Sequence, residues 1–587
     1  MVPGKLIVDP PTLENLGFRW YIEGDSNRNA WVEVAYRRRG DKGWKPGLPM
    51  LRVHHEIVGL PNRVPWRCGN LFAGSVLFLQ PGTTYEVELT LRDPDAEEVF
   101  TKALTATTRA EPAAFAGGRT LRVYPMGEAN ENGYTDLMAA YDAAVPGDVI
   151  LLHAGVYRGR YRLTKSGEPG KPIVFRGAGD GEVVLQPPEL PDVKPDSPPL
   201  GNDGIFNVNG AHYLYFEGLT FRTGGIQAGG KGDAGSVGLV VRRCRFENIV
   251  EWTAISTGSE NSKNWYIADN VVLDNQTSWH LYKKYGKSTG INVYGRGHVV
   301  CYNRVSGWGD CLAIYNFGPP LEDVDKHCVA IDFYNNDLST AWDDHVEADY
   351  GCHNVRVYRN RCANAHTGLS TQPFYGGPVY LIRNEMYAVH RVPFKLNCFP
   401  AGIEAYNNTA CAAVNVLTGY GQNQHFRNNL FLGGDPLAAA KGLNESRRKR
   451  ALRQAAYSIH GGTMTPGRST MDYNGYYKGP DPNIHLLYWR HGRNTRVYDT
   501  LAEFTEQTGF EARGVVLDYD VFKKAAPPKV GVTYRPLEYD LQLKPDADAI
   551  DAGMVLPNVT DNFTGEAPDL GCYEAGAPPP HYGPRER

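Results

Sequence analysis

Residues 355–408 read VRVYRNRCANAHTGLSTQPFYGGPVYLIRNEMYAVHRVPFKLNCFPAGIEAYNN, and three times in this stretch a short apolar-alternating run closes on an asparagine, at Asn360, Asn384 and Asn408. Outward from it the same ending recurs at Asn270, Asn303 and Asn336 on one side and at Asn429 on the other. The successive intervals are 33, 33, 24, 24, 24 and 21 residues. The runs WYIADN, HVVCYN, VRVYRN, PVYLIRN, GIEAYN and QHFRN have strand composition. Such a period suits one coil of a stacked parallel solenoid. Coils stack about 4.8 Å apart, so a turn asparagine can pass amide hydrogen bonds up the stack while its own backbone takes the tight-turn conformation it tolerates. The fold class read from this is all-β: a right-handed parallel β-helix, with residues that are distant in sequence brought side by side on its sheets.

Composition bounds the function. At 587 residues, 42% hydrophobic and 21% charged, the chain belongs with soluble globular proteins. A net charge of -4 gives no global field to recruit nucleic acid or membrane, and neither is an expected partner; the chain is read as a monomer. The one strong basic run, Arg447–Arg450, sits in a helix-like segment and reads as a solvated helix face. Ten cysteines lie scattered without metal-ligand spacing and read as buried free thiols. The start MVPGKLIVDPP lacks the apolar core of a secretory leader, and a polymer substrate implies a secreted or periplasmic protein whose leader is absent from this sequence.

Residues 1–111 alternate like strands between turn clusters, as in a small β-sandwich. Within them LQPGTTYEV, containing Tyr85, resembles the tyrosine-corner segment of fibronectin type III domains. A Pro/Ala/Gly-rich link leads into residues 119–436, the β-helix. There Leu137, Ala140, Tyr141 and Ala144 keep helical spacing, as expected of a helix covering the open first coil. After Pro436 the periodicity fades, and residues 437–587 read as an irregular region that caps the last coil or borders a groove. PGDVILLHAGVY, GEPGKPIVFRGAGDGEVVL and the Asn series resemble right-handed β-helix enzymes of the pectate-lyase-like superfamily. That resemblance implies a polysaccharide or oligosaccharide substrate; the superfamily spans lyases, hydrolases, epimerases and non-catalytic adhesins.

Aligning coils on their alternation puts Leu312, Val346, Leu369 and Phe394 in one inward column. Ala313, Glu347, Ser370 and Lys395 form the outward column beside it. Near these strands the sequence gathers acids, imidazoles and cations. Candidate catalytic residues are Asp344 and Glu347, with Asp310 as a rival partner and Asp343 and Lys395 beside them. Crowding of four carboxylates within residues 343–349 should raise at least one pKa. Candidate substrate-binding residues are Asp349, His345, His366, Gln372, His390 and Arg391. The aromatics Trp308, Trp342, Tyr315 and Tyr375 join them as platforms for sugar faces. His280 with Lys283, Lys284 and Lys287 marks a basic loop, and Ser256 and Ser259 read as turn material.

Glycoside hydrolysis needs one carboxyl as acid and a second as base or nucleophile, with no cofactor and no metal ligand. The sequence favours it. The alternative is a lyase or epimerase acting on a uronate-containing glycan, in which calcium is held by Glu347, Asp349 and Asp344, Lys395 or His390 takes the proton and Arg391 steadies the carboxylate. A second alternative is a non-catalytic glycan-binding solenoid.

Overall fold

A computed structural model describes the chain except for residues 60–64, 127–132, 192–198, 231, 275–278, 280–287, 315–326, 413–416, 420, 435–457, 460–466, 478–484, 492–493, 530 and 587. Two four-stranded antiparallel sheets form the N-terminal β-sandwich. Leu16–Glu23 and Asn70–Val76 are central to one, and Trp31–Arg38 and Thr84–Arg92 to the other. Phe18, Trp20, Val32, Phe72 and Leu89 fill the space between them. The Tyr85 hydroxyl accepts from Gln80 N at 3.0 Å, closing the corner that its sequence suggests.

From Thr120 onward the chain winds into a parallel β-helix. Among the described residues one parallel ladder has 13 strands and the other 20. Strand-by-strand crossovers of this kind are right-handed almost without exception. In three coils, two strands of the longer ladder join across a corner into the single runs Asp337–Glu347, Arg361–Ser370 and Glu385–Leu396. Leu312, Val346, Leu369 and Phe394 pair in register, as do Ala313, Glu347, Ser370 and Lys395, so alternation placed the inward and outward columns correctly.

The asparagines stack. Asn360 Nδ2 donates to Asn384 Oδ1 at 3.0 Å and to Phe333 O at 2.9 Å, while its Oδ1 takes the amide and side chain of Asn336 at 3.1 and 2.9 Å. The same exchange links Asn270 through Asn429 and continues to Asn474, 45 residues on. Coils therefore persist beyond Pro436, and the last strand of the long ladder is Val515–Val516. Cys244 occupies the first rung, donating its amide to Asn270 Oδ1. Replacing Asn360 with alanine orphans donors and acceptors in three buried coils. The expected cost is about 3 kcal/mol or more, read by denaturant unfolding.

The ladder asparagines do not take the left-handed turn themselves. Their predecessors do: Asp269, Tyr302, Asn335, Arg359, Arg383, Asn407, Asn428 and Tyr473 have φ between +50° and +59°. This conformation is disfavoured for Tyr and Arg. The column repays it by holding the C-terminal segment. Asn428 exchanges hydrogen bonds with Met554, Asn407 donates to Asp569 O, Asn335 donates to His581 O, and Asp269 pairs with Arg585 at 2.7 Å. The tail thus runs back along the coils rather than over the last one.

Leu137–Ala143 is the expected helix, capped by Asp136 and burying Leu137, Ala140 and Tyr141 on the first coil. At the other end Trp489, Phe504 and Phe510 join the same core, with Phe504 contributed by the helix Leu501–Thr508. Glu511 ends the ladder. Its Oε1 accepts from Asn474 Nδ2 and from the Tyr476 hydroxyl, both at 2.7 Å. Burial nevertheless pushes this carboxyl from 4.5 up to about 7. Below pH 4.5 both folded and unfolded chains hold the proton; between pH 4.5 and 7 only the folded chain keeps it, so stability falls as pH rises. Across that window the expected loss is roughly 2–3 kcal/mol, and Glu511→Gln should remove that slope from the pH dependence of unfolding. None of the ten cysteines forms a disulfide, and all but Cys398 are buried.

Candidate functional site

Three coils build the site. Asp310 opens the strand Asp310–Ala313; Asp343, Asp344 and Glu347 end Asp337–Glu347; Lys395 comes from Glu385–Leu396. The register between Asp337–Glu347 and Arg361–Ser370 shifts between Ala341 and Asp344. This irregularity at the corner lets Asp344 join Glu347 and Lys395 although it is separated by an even number of residues from inward-facing Val346.

Asp344 N donates to Asp310 Oδ1 at 3.1 Å. Oxygens of Asp310, Asp344 and Glu347 lie within 4.8 Å of one another, and the three residues are 0, 0 and 2% exposed. The Lys395 ammonium donates a short hydrogen bond to Asp344 Oδ2 and lies 3.8 Å from Asp343 Oδ1. Asp344 Oδ1 is buried without a hydrogen bond among the described residues. Burial raises the Asp344 carboxyl against the pull of Lys395, with Asp343 and Glu347 adding to the rise. Burial also opposes the charge on Lys395, but Asp344, Asp343, Asp349 and Glu347 together outweigh it and hold the ammonium well above the ordinary lysine range. One ammonium faces these four carboxyl groups, and burial also raises Asp349 well above the ordinary carboxylate range, so protons held within the group balance part of its charge.

Other candidates stand beside this cluster or outside it. Asp349 is buried, and its Oδ1 is spent on Ser370 Oγ and Gln372 N, both at 2.6 Å, so it fastens the next coil rather than meeting ligand. Gln372 Oε1 accepts from Asn397 at 2.6 Å. His345 is 0% exposed, with Nε2 against Ala363 O, and burial lowers its pKa to about 4; it is a neutral interior ring. Trp308 is 0% exposed in the solenoid core, Trp342 is buried, and Tyr375 packs with the sandwich residues Cys68 and Val58. These rings therefore offer no face to a sugar. His366 and His390 are half-buried with ring centroids 5.6 Å apart, Arg391 beside them is exposed and Gln372 is half-buried, so these are the candidates that stay accessible among the described residues. Tyr315, the His280 loop with its three lysines, and Arg447–Arg450 lie outside the described residues.

Ser256 is strand rather than turn material. It lies within Thr253–Thr257, and the register Asn207, Gln227, Ser256, Asn292, Ala313 carries the Glu347 column back through five coils. The alternation AISTG held that signal, but its short polar residues resemble a loop.

No protein-family model and no curated protein matches the chain. Among solved structures it is similar to the crystal structure of pectate lyase Pel9A, at 17% identity and a TM-score of 0.41, over 78% of this chain and 97% of that one. At that distance neither family nor reaction is assigned by likeness.

Proposed function

We propose that the chain is a polysaccharide lyase that cleaves a uronate-containing glycan by β-elimination, with a calcium-class cation held by Asp310, Asp344 and Glu347 and Lys395 as the base. The convergence of three buried carboxylates on one point, with a lysine at its edge, carries this reading. Calcium–oxygen distances of about 2.3–2.6 Å place oxygens on one ion at most about 5 Å apart, and the Asp310, Asp344 and Glu347 oxygens meet that limit. The otherwise unbonded Asp344 Oδ1 gives such an ion a ready ligand atom. A glycosidase instead flanks its bond with carboxyl groups about 5–5.5 Å or about 6.5–9.5 Å apart, and one oxygen from each of the three residues here comes closer than either spacing.

With the charge of the surrounding carboxylates cancelled by a bound cation, Lys395 would give up its ammonium proton to solvent, and its neutral Nζ would then take the proton from the carbon bearing the uronate carboxylate. The neighbouring carbon–oxygen bond then breaks, a carbon–carbon double bond forms, and the departing oxygen takes a proton from solvent. When bound, the cation supplies positive charge that cancels the carboxylates around Lys395 and stabilises the developing negative charge on the substrate acid group. His366, His390 and Arg391 supply polar contacts to a polyanion at the accessible edge.

Hydrolysis is the second reading, favoured by the raised Asp344 carboxyl, a protonated state suited to a general acid. Digestion of a panel of neutral and uronate polysaccharides separates the two. Elimination releases reducing ends together with the ultraviolet absorbance of unsaturated uronates, whereas hydrolysis releases reducing ends alone. Saturable binding with neither product would leave a glycan-binding solenoid.

A further inference from the structure

On the 13-strand sheet, away from the carboxylate cluster, one outward column runs Asp332, Arg356, Tyr380, Glu404, His425. The sandwich docks on its first three members, and each has a charged or hydrogen-bonding partner. Asp332 pairs with Arg356 at 2.6 Å and accepts from Asn15 at 2.7 Å; Arg356 reaches Ser75 Oγ, and the Tyr380 hydroxyl takes Ser75 N. His425 spends both ring nitrogens, on Thr470 and Asn423. Glu404 breaks the pattern. It is 5% exposed, and its Oε2 has no hydrogen-bond partner among the described residues. Burial alone pushes its carboxyl up to about 8, so at neutral pH it can both donate and accept.

Glu404 lines a cavity of about 260 Å³ at the seam between sandwich and coils. Leu48 and Met50 make one wall, Tyr406 stands beside Glu404, and exposed Arg468 stands at the rim. Of the other arginines there, Arg52 is tied to Asp25 at 2.6 Å and Arg28 lies 3.5 Å from Glu56. Three guanidinium groups disfavour a cation as occupant, while a buried carboxyl without a partner is destabilising and calls for a hydrogen-bonding ligand or water.

We propose that this seam cavity is a second ligand site, taking a small hydroxy acid the size of one uronate unit, with its hydroxyls on Glu404, its carboxylate toward Arg468 and its ring between Met50 and Tyr406. The site is independent of the reaction at the carboxylate cluster. A bound acid there bridges the two parts of the chain and reinforces their docking.

Calorimetric titration of the full chain with galacturonate, glucuronate, galactose and acetate tests this. One saturable uronate site is expected, with galactose and acetate at least tenfold weaker. Arg468→Ala should weaken uronate binding at least tenfold and Glu404→Leu should abolish it, while Asp344→Asn leaves it unchanged. Glu404→Leu should raise the melting temperature of the free protein and leave polymer turnover intact. If that variant fails to fold, Arg468→Ala on the surface decides. Binding lost in Asp344→Asn but kept in Glu404→Leu would place the uronate at the cluster and overturn the proposal. No saturable binding by any probe would also overturn it, leaving water as the partner of Glu404.

Discussion

Replacing Lys395 with methionine is expected to lower turnover on a uronate polymer by about 10³-fold, within the range a positioned general base supplies. The stem and its packing survive, but the proton acceptor is gone. Asp343 and Asp344 also lose their ammonium, so stability should fall by a few kcal/mol in calcium-free buffer and recover when calcium is added, without recovery of activity. Lys395→Arg separates base from ion pair. The guanidinium keeps the charge beside Asp344 but does not deprotonate, so this variant should be folded and equally inactive. Activity above a tenth of wild type in Lys395→Arg would remove Lys395 from proton transfer.

Exhaustive chelation is expected to stop turnover, and calcium to restore it. An ion at a hundred times its dissociation constant stabilises the folded chain by about 2.7 kcal/mol, so the melting temperature should fall and recover in parallel. Magnesium, which demands tighter octahedral geometry and gives up water reluctantly, should restore less. Asp310→Asn and Glu347→Gln each remove a charged ligand from the trio whose oxygens lie within 4.8 Å. Both variants should need at least tenfold more calcium for half-maximal activity. Undiminished release of unsaturated products in chelator would sink the cation assignment, and undiminished release of saturated products would hand the site to hydrolysis.

The sequence by itself determined the coil and its registers. A ladder that exchanges hydrogen bonds between identical side chains needs an asparagine at the same place in every turn, and strand alternation has a fixed period of two, so Asn270 through Asn429 and the Val346 and Glu347 columns are written in spacing alone. Helical spacing likewise exposed the cap at Leu137–Ala143, and the Tyr85 corner is a contact across five residues. The rung at Asn474 was hidden because 45 residues separate it from Asn429. Only the tertiary structure decided what the outward side chains meet. Alternation gives the face a residue occupies, not how deeply that face is covered, so Trp308, Trp342 and Tyr375 read as platforms and proved buried. Nor does spacing reveal a corner: the register shift before Asp344 brings that carboxylate to Asp310, Glu347 and Lys395, while His345, one residue on, bonds to the Ala363 backbone. Local repetition is additive along a chain and legible in it; the meeting of charges across coils depends on backbone irregularities of a single residue, which composition and period do not encode.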